Sequence, residues 1–232
     1  MESVLIIRNQ NLTNRINEAV LNKSEYKLFG KVVFVKDPLP DHVFLIDVVS
    51  KIESLIPKYL FHDVGVIYIG DFDIFEKKKI NALYLDGAIY LSNKQDSNND
   101  MVDDIIHELA HSLEEQYGKD IYADNQIRKE FLLKRRWLER NLRHQGFNTT
   151  MYDFDKTEYD IALDNFFLKD VGYQYLNAQF SGRAFINAYA VTSLREYFAT
   201  GFEEYYLGDR VNLLRLCPNL YQKLEDIDSM ED

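Results

Sequence analysis

A regular pattern of apolar and polar positions lies between residues 100 and 118. Apolar side chains recur there at intervals of three and four, which predicts an amphipathic helix. Its apolar face comprises Val102, Ile105, Ile106, Leu109 and Leu113. Asp100 is a favourable N-cap residue, and Gly118 is typical of the position just after a helix. We therefore expect this helix to pack on the protein core along one side.

Short runs of β-forming residues precede that helix. Residues 32–35 and 64–69 are typical of strands. Residues 82–91 contain Asp86 and Gly87 between two β-prone runs, which predicts a hairpin because both turn residues must adopt positive φ. The order of these segments predicts a small sheet beside the helix.

The remaining patterns are mostly helical. They cover residues 42–56, 120–143 and 185–207. Residues 153–180 are aromatic and acidic, and we expect short helices there, whereas residues 225–232 read as an acidic tail. With only 4 Pro and 10 Gly and no internal repeat, residues 1–232 indicate a single domain of the α+β class. A mixed sheet is expected to be followed by a mostly helical C-terminal half.

Composition narrows the possible functions. The chain is 46% hydrophobic, which is enough for a sizeable core, and its net charge of −11 argues against a nucleic-acid partner. No apolar run approaches the length that crosses a membrane, so we expect no membrane partner. Cys217 is the single cysteine, and the apolar run near the N-terminus is too short for a signal peptide. We expect a soluble protein made in the cytoplasm, with delivery or export by other machinery still compatible.

One stretch departs from the acidic balance. Between residues 128 and 143 the basic residues are Arg128, Lys129, Lys134, Arg135, Arg136, Arg140 and Arg143. Such a run is usually a solvated helix face, and its alternative role is a docking site for an acidic partner or substrate.

The candidate chemistry lies on the 100–118 helix. Residues 107–111 read H-E-x-x-H, which places His107 and His111 one turn apart on one face. Two imidazoles at that interval can bind one Zn²⁺ per chain, and Glu108 can reach a water polarised by the metal. Two histidines bind zinc weakly, so a third protein ligand is needed.

Carboxylates on a later helix are the simplest candidates for the third ligand. Glu196 and Glu203 both qualify, and because they are seven residues apart they share one helix face. Glu196 has a competing structural role, since residues 193–196 match a capping box in which the glutamate reaches back to the N-cap amide. The residues alone leave Glu196 and Glu203 equally favoured.

A family resemblance bears on that choice. The segment from Tyr189 to Ala199, YAVTSLREYFA, together with residues 107–111, resembles the catalytic domain of the anthrax lethal factor family and of the related Pro-Pro endopeptidases. These are zinc metallopeptidases of the gluzincin type. The resemblance covers two short motifs within about residues 64–208, and residues 120–180 look like an insertion.

The resemblance implies a zincin-like fold and specific roles for two residues. Glu196 opens the stretch Glu-Tyr-Phe-Ala and takes the position of the third zinc ligand. Tyr189, seven residues earlier, takes the position of the tyrosine that hydrogen-bonds the transition-state oxyanion.

Together these features predict a zinc-dependent metalloendopeptidase acting on a protein or peptide, with Glu108 as the general base. An extended substrate needs a strand edge near the metal, and the candidate strand just before the helix is Ala88, Ile89, Tyr90 and Leu91. The alternative is a degenerate metallopeptidase fold that serves as a non-catalytic binding or structural protein. A metal-dependent hydrolase of a non-peptide substrate is a weaker alternative.

Overall fold

A computed structural model describes residues 26–230, in which five strands form one mixed sheet. The strands are β1 (Tyr26–Leu28), β2 (Lys31–Val35), β3 (Val66–Gly70), β4 (Ala82–Leu85) and β5 (Ala88–Ser92). Their order across the sheet is β1-β2-β3-β5-β4. The three central strands are parallel, whereas β1 and β4 run antiparallel to their neighbours and form the two edges.

The predicted hairpin is confirmed, and its two strands differ in how their backbones are paired. Asp86 and Gly87 form the turn with φ of 48° and 76°. The proposed substrate strand, Ala88, Ile89, Tyr90 and Leu91, is wrong as an edge: it lies in β5, which pairs with β3 on one side and β4 on the other. Since both sides of its backbone are used, the edge of the hairpin that pairs with no other strand within residues 26–230 belongs to β4.

Helices make up most of the remaining described chain. They are α1 (Leu45–Leu55), α2 (Asp73–Lys78), α3 (Asn98–Tyr122), α4 (Gln126–His144), α5 (Ile161–Asn165), α6 (Tyr173–Phe180), α7 (Leu194–Leu207), α8 (Arg210–Leu216) and α9 (Pro218–Asp228). Single 3-10 turns occur at Lys58–Phe61 and Tyr189–Val191, and a π-helical turn at Phe166–Val171. Within residues 26–230, no helix combines the length and apolar character needed to span a bilayer. The α+β class is confirmed.

Helix α3 is longer than predicted at both ends. Ser97 caps it, since its hydroxyl accepts a hydrogen bond from the Asp100 amide at 3.2 Å. At the other end the helix passes through Gly118 and continues to Tyr122, because Ile121 is buried and extends the apolar face by one more turn.

The apolar face of α3 is buried as predicted, with Val102, Ile106 and Leu109 fully inaccessible. The helix packs against β4 and β5 of the sheet and against α1 and α7. Buried side chains from Leu28 to Ile227 form one continuous core around it. The helix thus lies between the sheet and the helical C-terminal half, and its polar border faces both.

The acidic end of the chain is ordered further than predicted. Helix α9 continues to Asp228, whose carboxylate accepts hydrogen bonds from Tyr205 at 3.1 Å and Tyr206 at 2.6 Å. Residues 225–228 of the predicted acidic tail are therefore helical, because these phenols hold the helix end against α7. Residues 231 and 232 lie outside the described range.

The basic stretch forms α4, but it does not present one uniform charged face. Lys134 turns inward and donates to the carbonyl oxygens of Ala184 at 2.5 Å and Leu216 at 2.6 Å. Arg136 pairs with Asp155 at 2.6 Å, so part of the outer charge is also neutralised. An acidic partner for residues 128–143 remains a prediction.

Arg135 is the least expected residue of α4. It is fully buried, with its guanidinium 5.1 Å from the Phe131 ring centroid and 5.7 Å from that of Phe154. Within the described part of the chain, no acceptor lies within hydrogen-bond reach of its three guanidinium nitrogens. Burial lowers the pKa of Arg135 to about 10, against the opposing effect of Asp153 and neighbouring carboxylates.

Candidate metal centre

Two helices bring the predicted ligands together. His107 and His111 project from the middle of α3, and Glu196 lies in the first turn of α7. The Nε2 atom of His107 is 3.0 Å from Glu196 Oε2, and Nε2 of His111 is 3.7 Å from Glu196 Oε1. One ligand atom from each of the three residues lies within 4.8 Å of the others.

This donor set fits a metal ion. Two imidazole nitrogens and one carboxylate oxygen form a ligand group that Zn²⁺ takes in catalytic sites, with the remaining coordination position open. The three side chains are only 10% to 16% exposed, so few water molecules compete for their donor atoms. The cluster can therefore hold one ion.

Glu196 and Glu203, which the sequence left equally favoured before the resemblance, occupy different positions. Glu196 faces the Nε2 atoms of both histidines, whereas Glu203 accepts a short hydrogen bond from Nδ1 of His107, on the far side of the ring. Capping does not compete with the ligand position. Ser193 caps α7 by accepting the Glu196 amide at 3.1 Å, while the Glu196 carboxylate points at the histidines.

Each histidine also forms a hydrogen bond with a carboxylate through Nδ1, the ring nitrogen that faces away from the cluster. Glu203 holds Nδ1 of His107, and Glu114 holds Nδ1 of His111 at 2.8 Å. A carboxylate at Nδ1 fixes the tautomer that leaves the Nε2 lone pair free for a metal and makes that nitrogen a better donor. Sequence reasoning did not identify Glu114. The available signal was its position three residues after His111, on the same helix face.

Two other acids near the histidines have different partners. Asp104, one turn before His107, accepts a hydrogen bond from Gln95 at 2.9 Å. Glu115 bonds to the phenol of Tyr84 on β4. Neither carboxylate touches an imidazole in the described structure, although each lies about one helical turn from a histidine. A position one turn away is therefore not enough to make an acid the partner of an imidazole.

The charges in the cluster shift one another's pKa. Burial disfavours a charged His107, but its hydrogen bonds to Glu196 and Glu203 outweigh burial and hold its pKa well above the ordinary value. Burial likewise opposes charge on Glu196, but the hydrogen bond to His107 and the proximity of His111 lower its pKa. Protons and a metal ion therefore compete for the same imidazole.

Glu108 lies beside the cluster, beneath the edge of the sheet. It is 6% exposed, and its Oε2 accepts a hydrogen bond from the Tyr84 amide of β4 at 2.5 Å. Burial raises the pKa of Glu108, and the two histidines partly offset that rise. A carboxylate with a raised pKa accepts a proton more readily, which suits a general base.

Tyr189 lies beside the histidines at the open side of the cleft and is 44% exposed. It is on the 3-10 turn just before α7, and its ring centroid is 6.1 Å from that of His107. Partial loss of hydration, followed by the charges of Glu196 and Glu108, raises its pKa. The phenol therefore keeps its proton and can donate a hydrogen bond into the cleft.

An open cleft of about 380 Å³ lies beside the cluster. Its walls are the start of β4, one flank of α3 and the 3-10 turn, and its lining residues include Asn81, Ala82, Asp103, Asp104, His107, Glu108, Tyr189 and Glu203. His107, Glu108 and Tyr189 therefore share one cavity, whereas His111 and Glu196 lie next to it, in contact with His107.

Comparison of the chain with protein-family models, with curated proteins and with solved structures finds no match in any of the three.

Proposed function

We propose that this chain is a zinc-dependent metalloendopeptidase of the lethal factor-like, gluzincin type. The observation that carries the proposal is the cluster of His107, His111 and Glu196, together with the adjoining cleft that His107 and Glu108 line. An edge strand that is antiparallel to its neighbour β5 and lies alongside the H-E-x-x-H helix supports a zincin-like fold. The motif pair around residues 107–111 and 189–199 supports the family.

His107, His111 and Glu196 would hold the ion, with Glu203 and Glu114 orienting the two rings. A bound Zn²⁺ supplies a Lewis acid that polarises the substrate carbonyl and makes water a stronger nucleophile near neutral pH. Glu108 accepts the proton of the attacking water at its carboxylate and passes it to the leaving amine. The Tyr189 hydroxyl donates a hydrogen bond to the oxygen on which negative charge develops.

Apart from the Tyr84 amide, which Glu108 holds, the outer edge of β4 offers the backbone groups that an extended peptide needs. A peptide that pairs with this edge runs along the cleft and passes between α3 and Tyr189. Because such pairing uses main-chain hydrogen bonds, it accommodates many sequences, and side-chain pockets along the cleft would set the preference. This is the support for a peptide or protein substrate over a small molecule.

The test compares the zinc-loaded protein with Glu108→Gln in a peptide-library cleavage assay. The variant should keep zinc and lose about 100- to 10,000-fold in kcat, because only the proton acceptor is altered. Tyr189→Phe should also keep zinc and lose about 100-fold in kcat, as expected for one oxyanion donor. Asp120→Asn, an exposed site on the same helix, is the matched control and should be unchanged.

Two outcomes would contradict the proposal. Cleavage by Glu108→Gln at the wild-type rate would remove the assigned general base. A wild-type protein that binds zinc at one ion per chain but cleaves no peptide in the library would favour the non-catalytic binding protein.

A further inference from the structure

Glu114 is a buried carboxylate with three partners from two helices. Its side chain is 5% exposed and accepts hydrogen bonds from His111 Nδ1 at 2.8 Å, from the Tyr122 hydroxyl and from Arg195 Nε at 3.4 Å. His111 and Tyr122 are on α3 with Glu114, whereas Arg195 is the second residue of α7. A charge buried this deeply needs such partners to offset its lost hydration.

The contact with Arg195 links Glu114 to the third ligand. Arg195 directly precedes Glu196 in the chain, so a bond from its side chain to α3 constrains the turn of helix that carries the Glu196 carboxylate. Glu114 thus contacts the ring of the ligand His111 and also Arg195, the residue next to the ligand Glu196. The three ligands come from positions 107, 111 and 196, so their relative placement depends on how α3 and α7 are fixed to each other.

A second hydrogen bond joins the same two helices, with the donor and acceptor helices exchanged. Glu203 on α7 accepts from His107 on α3, whereas Glu114 on α3 accepts from Arg195 on α7. The two bonds lie on either side of Glu196. The helix that carries the ligand carboxylate is therefore attached to α3 both before and after Glu196 in the chain.

We infer that Glu114 is a positioning residue for the metal centre: it sets the tautomer of His111 and, through Arg195, the place of Glu196. The inference rests on the proposed metal site and identifies the residue that joins its two halves. Glu114 does not reach the metal position itself, since its oxygens face Nδ1 of His111 and not Nε2.

The test measures the affinity of the purified full chain for Zn²⁺ by competition with a chelating dye. Glu114→Gln should weaken zinc binding by about 10- to 100-fold, as expected when the carboxylate behind a ligand histidine is lost. Asp120→Asn, at an exposed carboxylate further along the same helix, is the matched control and should bind within about twofold of wild type. Arg195→Ala removes only the link to α7 and should weaken binding by about threefold.

A spectroscopic measurement separates positioning from a general loss of stability. In zinc-loaded protein with ¹⁵N-labelled histidine, Glu114→Gln should shift the Nδ1–H resonance of His111 and leave that of His107 unchanged. A variant that merely loosens the fold would shift both. Arg195 is mostly exposed, so Arg195→Ala should fold even where Glu114→Gln does not.

The outcomes distinguish this inference from the proposed function. Zinc binding by wild type, together with zinc affinities of Glu114→Gln and Arg195→Ala within twofold of it, would overturn the role of Glu114 and leave the metal centre standing. Failure of the wild-type protein to bind zinc would overturn both. Tight zinc binding with the expected losses, but without peptide cleavage, would support Glu114 while contradicting the peptidase.

Discussion

The metal cluster and the surroundings of Arg135 are two regions of buried charge built in opposite ways. Around His107 and His111, both nitrogens of each ring face a carboxylate, and one of these carboxylates, that of Glu114, has two further donors. Arg135 is more deeply buried, yet within residues 26–230 its guanidinium reaches no hydrogen-bond acceptor and rests on the faces of Phe131 and Phe154, while Asp153 and nearby carboxylates act on it without a hydrogen bond. Stacking on an aromatic face recovers about 1–2 kcal/mol, less than the hydration that the ion gives up.

The difference indicates what each region contributes. A network of matched acids and imidazoles, open to a cleft, uses its electrostatic energy to hold donor atoms in place for a ligand. An unmatched buried cation lowers the stability of the fold. The comparison therefore predicts that disrupting the first region costs metal binding, whereas removing the second improves stability.

The largest expected effect separates the two glutamates of α7. Glu196→Ala removes a ligand and should weaken zinc binding by more than about 1,000-fold, whereas Glu203→Ala removes only the support of His107 and should cost about 10- to 100-fold. Metal analysis after dialysis against a weak chelator measures both. Equal losses in the two variants would mean that both glutamates bind the metal.

The second prediction concerns stability. Arg135→Met keeps a long side chain against the two phenylalanines and removes the buried charge, so it should raise the free energy of unfolding by about 1–4 kcal/mol. Urea denaturation of the metal-free protein measures it. Arg136→Met is the matched control, because this neighbouring arginine is exposed and should change stability by less than about 0.5 kcal/mol. A destabilised Arg135→Met would show that the cation contributes to the fold after all.

Asp104 is intermediate between the well-paired metal cluster and the unpaired Arg135, since it is partly buried and has one neutral hydrogen-bond partner, Gln95. Burial raises its pKa to about 6, and the hydrogen bond from Gln95 opposes that rise. The folded state thus binds the proton more tightly than the unfolded state, whose value is 3.8. The resulting stabilisation is present below about pH 4 and is lost as the pH rises through about 6.

The smallest expected effect follows from that titration. Asp104→Asn keeps the acceptor for Gln95 and removes the charge, so the metal-free variant should be more stable than wild type by about 1–2 kcal/mol at pH 8. The two proteins should be equally stable near pH 3.5. Urea denaturation at the two pH values measures the difference, and a gap that does not change with pH would contradict the raised pKa.

Local patterns predicted the elements better than their ends. The hairpin and α3 followed from a turn dipeptide and from helical periodicity, which depend on neighbouring residues alone. The position of β5 inside the sheet did not follow, because strand order depends on which segments meet across the fold. The ordered end at Asp228 was missed for the same reason, since its partners, Tyr205 and Tyr206, are more than 20 residues away.

The residues of the site also divide into those that local spacing predicts and those that depend on how the helices pack. His107, Glu108 and His111 are set by spacing on one helix, so the sequence predicted that they lie together. The distinction between Glu196 and Glu203 depended on how α7 is placed against α3, and the residues alone left it open. The inward turn of Lys134 and Arg135 was also hidden, because a run of basic residues resembles a solvated face whichever way individual side chains point.

The hydrogen bond between Glu108 and the Tyr84 amide also bears on the edge of the sheet. A strand at the edge of a sheet exposes amides that can pair with another chain, and proteins block such edges with charged side chains. Glu108 occupies one of these amides on β4, so we expect the same carboxylate that would take a proton during catalysis to protect this edge from pairing with a second copy of the chain. Glu108→Ala removes both the proton acceptor and the acceptor for the Tyr84 amide. Glu108→Gln keeps an oxygen that can accept from this amide, which makes it the better inactive form for crystallisation or substrate trapping.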